Sequence, residues 1–189
     1  AVSYKRKRWR LADAPPDEAA VERLTHVLRV PPLIARLLVQ RGFSDPAAAL
    51  AFLEPKFKDL HSPYLLPNMH AAAERIVAAV RNHQKITLYG DYDVDGITGT
   101  AMLWHTLTAA GAAVDYYIPH RVDEGYGLNP EAIQSLANAG TKLLVTIDCG
   151  CSAIEPVALA RRLGMDVIVS DHHEFATELP PATAIVHPR

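Results

Sequence analysis

The segment that decides the fold is ITLYGDYDVDG, residues 86–96. Its first four residues favour a β-strand, and a turn that carries three carboxylates follows them directly. A helical pattern then runs over residues 97–110 and ends at Gly111. A buried strand that passes through a short polar turn into a helix is the building unit of a parallel α/β sheet.

The same unit recurs along the rest of the chain, with strands separated by helical patterns of about ten residues. The apolar runs are typical of strands that helices cover on both faces. The sequence therefore predicts a doubly wound, mainly parallel α/β sheet. The further strands are predicted at residues 114–118, 143–147, 167–169 and 183–186, and the helices between them at 130–139 and 153–163.

A small helical region precedes the sheet. Proline pairs and capping residues divide residues 1–53 into short predicted helices, the third of which begins at Asp45 and Pro46. The proline-rich residues 54–68 indicate a linker. We therefore expect two domains, a helical region with its linker over residues 1–68 and an α/β domain over residues 69–189, whose first helix Asn68 caps. The apolar face of the first helix in the chain is predicted to comprise Val21, Leu24, Val27 and Leu28.

The composition is that of a globular protein. Of the 189 residues, 49% are hydrophobic and 21% are charged, and the mean hydropathy is +0.02. No apolar run reaches the roughly 18 residues of a membrane span, so we expect no membrane segment and a cytoplasmic protein. Cys149 and Cys151 are the only cysteines. One Cys-x-Cys pair supports neither a disulfide scaffold nor a four-ligand zinc site, which predicts reduced thiols.

The chain has 19 Lys and Arg and 21 Asp and Glu residues, which gives a net charge of −2. This charge argues against a protein that binds nucleic acid through an overall positive charge. Basic residues cluster around Trp9, in the run at residues 5–10. Two interpretations of this run stay open, a solvated tail and a contact to nucleic acid. The chain begins with Ala1 and ends directly after a predicted strand, from which we expect a fragment of a longer protein.

Acidic residues and histidines follow three of the predicted strands. In an open α/β sheet, ligands bind beside the carboxyl ends of the strands, so these residues are expected to converge on one site. Three carboxylates within five residues repel one another unless a cation neutralises them, and oxygen ligands with an imidazole suit Mn²⁺ or Mg²⁺. The sequence therefore predicts a catalytic metal site. Its candidate residues are Asp91, Asp93, Asp95, Asp148, Asp171, His172 and His173.

Plainer interpretations compete with a metal site of this kind. An EF-hand calcium loop that begins at Asp91 requires a glutamate at its twelfth position, where this chain has Met102. A solvated acidic turn stays open for residues 91–95, and a helix cap for Asp148 and for the run at residues 171–173. The remaining histidines lack such acidic neighbours and are predicted to be surface or packing residues: His26, His61, His70, His83, His105, His120 and His187.

Three of these motifs resemble those of the DHH phosphoesterase superfamily and, within it, the RecJ-type single-strand-specific DNA exonucleases. Residues 90–96 resemble the first family motif, residues 145–150 the second, and the Asp-His-His run at 171–173 the motif that names the superfamily. The loop DEGYGL, residues 123–128, resembles the RecJ form of the segment between the first two motifs, and residues 52–55 resemble the segment before the catalytic core. The resemblance covers most of residues 45–189.

The resemblance implies a two-metal phosphodiesterase, using Mn²⁺ or Mg²⁺, that removes 5′-mononucleotides from single-stranded DNA in the 5′ to 3′ direction during DNA repair and recombination. It implies a monomer that works with single-stranded DNA, a helicase and a single-strand-binding protein. A further acidic motif and a second domain are expected after residue 189, so the chain by itself is expected to be inactive.

The resemblance also implies roles for individual residues. His173 would hydrogen-bond the scissile phosphate, and Asp91 would ligate or support the metals. Asp171 is expected to orient the histidines, as carboxylates beside metal ligands usually do. Arg121 is either a phosphate contact or the cap of a strand end. The implied metal ligands are Asp93, Asp95, Asp148 as the bridge, and His172.

Other functions stay open beside the exonuclease. A DHH-type phosphodiesterase for short oligoribonucleotides or cyclic dinucleotides would share the three motifs, and the length of the preferred substrate separates it from an exonuclease. A catalytically silent scaffold on the same fold predicts degraded acidic motifs, whereas every motif residue of this chain is intact. A purely structural α/β module leaves the acidic cluster without a reason.

Overall fold

The computed structural model describes residues 17–175 and 178–189, so the predicted basic run at residues 5–10 lies outside the described residues. Residues 1–61 and residues 62–189 group into two compact units. The boundary between these units, after residue 61, precedes the one predicted from the sequence, which is after residue 68. Within the described residues, no helix has the length and apolar character needed to cross a membrane.

Three short helices form the described part of the first unit: α1 (Glu18–Leu28), α2 (Pro32–Gln40) and α3 (Pro46–Leu53). Asp17 and Asp45 cap the first and third helices through their side chains. Val21 and Leu24 are buried as predicted, but Val27 is 59% exposed. At about 100° per residue, Val27 lies at the edge of the buried arc that centres on Leu24.

The second unit is built around one sheet of five strands: β1 (Ile86–Gly90), β2 (Val114–Tyr117), β3 (Leu143–Ile147), β4 (Asp166–Ser170) and β5 (Ala184–Val186). The spatial order is β2-β1-β3-β4-β5, and every neighbouring pair is parallel. The predicted doubly wound parallel sheet is therefore confirmed.

Helices cover both faces of this sheet. Successive strand residues point to opposite faces, so Leu88 packs into one apolar core and Tyr89 into the other. All five residues of β1 are buried, as the continuous apolar run predicted. The core of Leu88 is closed by α4 (Met69–Arg81) and α5 (Val94–Ala109), and that of Tyr89 by α6 (Pro130–Asn138) and α7 (Ile154–Arg162).

Two local predictions at helix starts are wrong. Helix α5 begins at Val94 rather than at Ile97, because the Asp93 side chain accepts hydrogen bonds from the first turn and caps the helix. The second half of the acidic turn is therefore helical. Asn68 does precede α4, but its side chain donates to the Ile185 carbonyl, 2.9 Å away, and does not cap the helix.

Candidate metal centre

The strand order places two acidic strand ends side by side. From β1 the chain crosses to β2 on one side, while β3 lies on the other side of β1. Such a switch point leaves a crevice at the carboxyl ends of the two strands, where ligands bind in doubly wound sheets. Asp91 directly follows β1 and Asp148 directly follows β3, so both carboxylates lie at this crevice.

Asp93 has a structural task at the start of α5. Its Oδ1 accepts hydrogen bonds from the backbone N–H groups of Gly96 (3.2 Å) and Asp95 (3.0 Å). The bond from Gly96 is the main cause of the lowered pKa of this carboxyl. Capping uses Oδ1, so Oδ2 is the atom that a cation can take. Gly96 permits this close turn, because a Cβ there would lie 2.5 Å from the carbonyl oxygen of Asp91.

Asp148 is held in the left-handed region, with φ of 64°. Its backbone N–H donates to the Ser170 carbonyl at the end of β4, and the residue is only 7% exposed. Gly150 completes the turn at φ of 110°, where a Cβ would lie 2.8 Å from Thr146 Oγ1. A non-glycine residue in this conformation costs free energy and persists only when its surroundings fix it, as happens at functional sites.

Asp171 organises the segment after β4. Its Oδ2 accepts from the Cys151 N–H (2.9 Å), and its Oδ1 accepts from the N–H groups of His172 (2.7 Å) and His173 (3.1 Å) and from Nδ1 of His173 (2.8 Å). Burial alone would raise the pKa of Asp171, but the hydrogen bonds from Cys151 and His173 outweigh it and hold the pKa at about 2. Asp171 is thus a buried anion that fixes the orientation of the His173 ring.

Two groups of three side chains at this edge are spaced closely enough to hold a metal ion. In each group the ligand atoms lie within 4.8 Å of one another. Asp148 belongs to both groups, so its carboxylate would serve both if each held a cation. Its Oδ1 also lies 2.9 Å from Nε2 of His172. The groups are Asp91 with Asp93 and Asp148, and Asp148 with His172 and His173.

The electrostatics of this cluster favour a cation. Burial raises the pKa of Asp148, and the neighbouring charge of Asp93 raises it further. Two carboxylate oxygens, Oδ1 of Asp91 and Oδ2 of Asp148, are buried without a hydrogen-bond partner among the described residues. Leaving such atoms unpaired is costly, and a bound cation would satisfy both. The donors are mainly carboxylate oxygens with imidazole nitrogen, a set that fits Mn²⁺ or Mg²⁺.

Three of the predicted site residues lie outside both groups: Asp171, whose contacts are given above, Asp95 and Arg121. The exposed Asp95 lines a cavity of about 530 Å³ together with Asp148 and His172. Arg121 stacks on Tyr92, with its guanidinium carbon 4.8 Å from the ring centroid. Its position beside the acidic turn keeps the predicted phosphate contact open, and the assignment of Asp95 as a ligand stays a prediction.

Sequence reasoning missed two side chains that contact the site. The Tyr126 hydroxyl lies 3.3 Å both from the Asp148 carbonyl oxygen and from Nδ1 of His173. The motif at residues 123–128 was the signal that could have pointed to it. His187, predicted to be a surface or packing residue, is 3% exposed and lies against His173. No sequence neighbour of His187 signals this contact.

Glu124 anchors the loop that carries Arg121 and Tyr126. Its carboxylate accepts hydrogen bonds from the Tyr117 hydroxyl, the His120 N–H (2.6 Å) and the Asn129 side-chain amide (2.9 Å). The bond from His120 is the main cause of the lowered pKa of Glu124. The loop is therefore tied to the end of β2 and the start of α6.

A doubly wound parallel sheet that gathers carboxylates and imidazoles at its switch point defines a class of α/β domain built to hold divalent cations. Residues 85–189 match the DHH family, N-terminal domain, and the chain belongs to the DHH family.

Similar proteins carry the name RecJ. The chain is 44% identical over 182 residues to the single-stranded-DNA-specific exonuclease RecJ of Bacillus subtilis, covering 96% of this chain and 23% of that protein. It is 37% identical over 160 residues to the Escherichia coli exonuclease of the same name, covering 84% of this chain and 27% of that protein. The chain therefore spans about a quarter of the length of these curated relatives.

A solved structure of a similar protein contains a metal. The crystal structure of RecJ from Thermus thermophilus in complex with Mn²⁺ matches with a TM-score of 0.70 and 31% identity. The match covers 98% of this chain and 26% of that one. The likeness thus extends over the helical region as well as the sheet.

Proposed function

We propose that this chain is the metal-binding part of a single-stranded-DNA-specific exonuclease, which hydrolyses phosphodiester bonds in the 5′ to 3′ direction and releases 5′-mononucleotides. The observation that carries the proposal is the sharing of Asp148 between two ligand groups at the switch point of the sheet. The single-stranded-DNA-specific exonucleases of Bacillus subtilis and Escherichia coli support the choice of substrate.

The proposed cofactors are two divalent cations, Mn²⁺ or Mg²⁺. Asp93, Asp148 and His172 have ligand atoms in the two groups, and the exposed Asp95 joins the set from its place in the motif. When bound, a pair of such cations activates a water molecule and neutralises the charge that develops on the scissile phosphate and the leaving oxygen. The two unpaired oxygens of Asp91 and Asp148 support this occupancy.

The remaining side chains act on the substrate or on the ligands. Asp171 accepts the hydrogen of His173 Nδ1, so Nε2 is the ring nitrogen available to a phosphate oxygen. The pKa of His173 is raised, chiefly by this hydrogen bond, which favours the form that donates to an anion. Arg121 supplies a second cationic contact for phosphate, and its stacking on Tyr92 holds it beside the acidic turn.

The cellular setting is part of the same proposal. A single-strand-specific exonuclease serves DNA repair and recombination in the cytoplasm, and we propose that it works there as a monomer beside a helicase and a single-strand-binding protein. The names of the relatives support single-stranded DNA as the nucleic acid partner.

Digestion assays test the proposed activity in the whole protein that carries this domain. With Mn²⁺ and 5′-phosphorylated single strands of increasing length, we expect mononucleotide release from long strands and none from blunt duplex DNA. Asp95→Ala and His172→Ala should each abolish turnover, while Glu131→Ala, which removes an exposed carboxylate on α6, should not. Preference for dinucleotides would instead favour the oligoribonuclease or cyclic-dinucleotide phosphodiesterase. No hydrolysis of any substrate would favour the silent scaffold.

A further inference from the structure

His187 uses both of its ring nitrogens inside the protein. It follows β5 and is 3% exposed. Its Nε2 lies 2.9 Å from the carbonyl oxygen of His173, and because a carbonyl can only accept, Nε2 carries the hydrogen. Its Nδ1 accepts from the backbone N–H of Arg189 at 3.2 Å. Burial with two satisfied nitrogens fixes the ring in one orientation.

The ring of His187 packs against one side of residues 171–175. Phe175 packs edge-on against it, with ring centroids 4.8 Å apart at 90°. The Asp171 N–H donates to the Val186 carbonyl, and the Arg189 guanidinium donates to Glu174 at 2.6 Å. The last residue of β5 and the residues after it therefore contact the segment after β4 at Asp171, His173, Glu174 and Phe175.

His173 is consequently held from two directions. Asp171 binds its backbone N–H and its ring Nδ1, while His187 binds its backbone carbonyl. The thiol of Cys151 also contacts this carbonyl, at 3.6 Å, but a thiol is a weak donor. The Nε2–H of His187 is thus the main hydrogen-bond donor to the backbone carbonyl of His173. His187 also lines the cavity of about 530 Å³ that contains Asp148 and His172.

We propose that His187 is a positioning residue for the metal centre: its Nε2–H fixes the His173 carbonyl and thereby sets where the His172 and His173 rings meet Asp148. The inference rests on the proposed metal-dependent function and deepens it. His187 is not proposed to touch cation or substrate. Partners that orient metal ligands typically change metal affinity or activity by about 10- to 100-fold when they are removed.

Three substitutions in the whole protein separate positioning from simple packing. His187→Gln places an amide nitrogen near the position of Nε2 and retains a donor for the His173 carbonyl. His187→Asn retains a polar group near Nδ1 only, and His187→Phe fills the volume without either hydrogen bond. We expect His187→Asn and His187→Phe to lower Mn²⁺ affinity and kcat by about 10-fold or more, with KM for single strands little changed. His187→Gln should stay within about threefold of wild type.

Two readouts do not depend on turnover. Calorimetric Mn²⁺ titration without DNA measures the affinity of the metal centre. Hydrogen exchange of the His173 amide in the metal-free protein measures how often residues 171–175 open, and this exchange should be faster in His187→Asn and His187→Phe. Wild-type Mn²⁺ affinity and amide protection in the Phe variant would overturn the proposal. Equal losses of Mn²⁺ affinity in His187→Gln, His187→Asn and His187→Phe would show that His187 acts only through packing. If His187→Phe does not fold, the Mn²⁺ affinities of His187→Gln and His187→Asn decide, and equal affinities would overturn the proposal.

The same readouts keep the two proposals apart. If wild-type protein binds Mn²⁺ but digests no single-stranded DNA, the proposed exonuclease function is wrong. The role of His187 is then still tested by the Mn²⁺ titrations of its variants. If wild-type protein binds no Mn²⁺, both proposals fail together.

Discussion

Nε2 of His172 lies 2.9 Å from Oδ1 of Asp148, although 24 positions separate the two residues in the chain. Their contact depends on the parallel pairing of β3 with β4, in which Ile147 stands opposite Ser170. A slip of one residue in this register would turn every side chain of a strand to the other face. The centre is therefore a product of the sheet, because each strand brings only one part of it.

Asp148→Asn should stabilise the metal-free protein while abolishing Mn²⁺ binding. Burial and the charge of Asp93 both raise the pKa of Asp148, so its ionised form is unfavourable in the folded state without a cation. Asparagine removes the charge and tolerates the left-handed backbone at φ of 64°. The melting temperature in a chelator and the Mn²⁺ titration check both halves.

Asp148→Ala is the matched control for this prediction. It also removes the charge but places a methyl side chain in the left-handed region, at a cost of about 1 kcal/mol, or roughly 2–4 °C of melting temperature in a domain of 150–250 residues. The Asn variant should therefore melt above the Ala variant. An Asn variant that melts below wild type in chelator would show that Asp148 is not under electrostatic stress.

Asp93 allows capping and metal binding to be separated. Oδ1 caps α5, and a serine hydroxyl can replace it there, whereas the second carboxylate oxygen has no substitute. We expect Asp93→Ser to keep the melting temperature and lose Mn²⁺ affinity, and Asp93→Ala to lose Mn²⁺ affinity and also melt at a lower temperature. Thermal denaturation and calorimetry measure the two effects. Retained Mn²⁺ binding in the Ser variant would remove Asp93 from the ligand set.

Most of the sheet could be predicted because its physical signal is local. The strands that helices cover on both faces read as apolar runs, and four of the five are bounded by Gly, Pro or acidic residues. The candidate acids could be found for a related reason, since ligands bind at the carboxyl ends of parallel strands. The early start of α5 was missed because a carboxylate that resembles a ligand was also the helix cap.

The missing part of the site is non-local. His187 reaches His173 only because β5 pairs with β4, and Tyr126 reaches Asp148 only because its loop folds back over the edge of the sheet. The motif at residues 123–128 marks the loop of Tyr126 but not its contact with Asp148, and nothing in the sequence around His187 points to His173. The strand order likewise depends on which helices pack on which face, which the periodicity of a single segment does not encode.

Gly96→Ala should damage the centre through the backbone. A Cβ at this position would lie 2.5–2.7 Å from backbone atoms of Asp91, which have no flexible way to yield. We expect a loss of about 1–3 kcal/mol in unfolding free energy, typical of overpacking, together with weaker Mn²⁺ binding. Thr98→Ala, on an exposed position of the same helix, is the control and should change little. Equal stability of the two variants would argue against this contact.

Glu124→Ala should loosen substrate binding and leave the metals in place. Glu124 ties its loop to Tyr117 and Asn129, and this loop carries Arg121 and Tyr126. Without the carboxylate, binding of single strands must also order the loop, so we expect KM to rise about tenfold while Mn²⁺ affinity stays near wild type. Steady-state kinetics and calorimetry on the same preparation check the split. A fall in Mn²⁺ affinity with unchanged KM would instead show that this loop supports the metal centre rather than substrate binding.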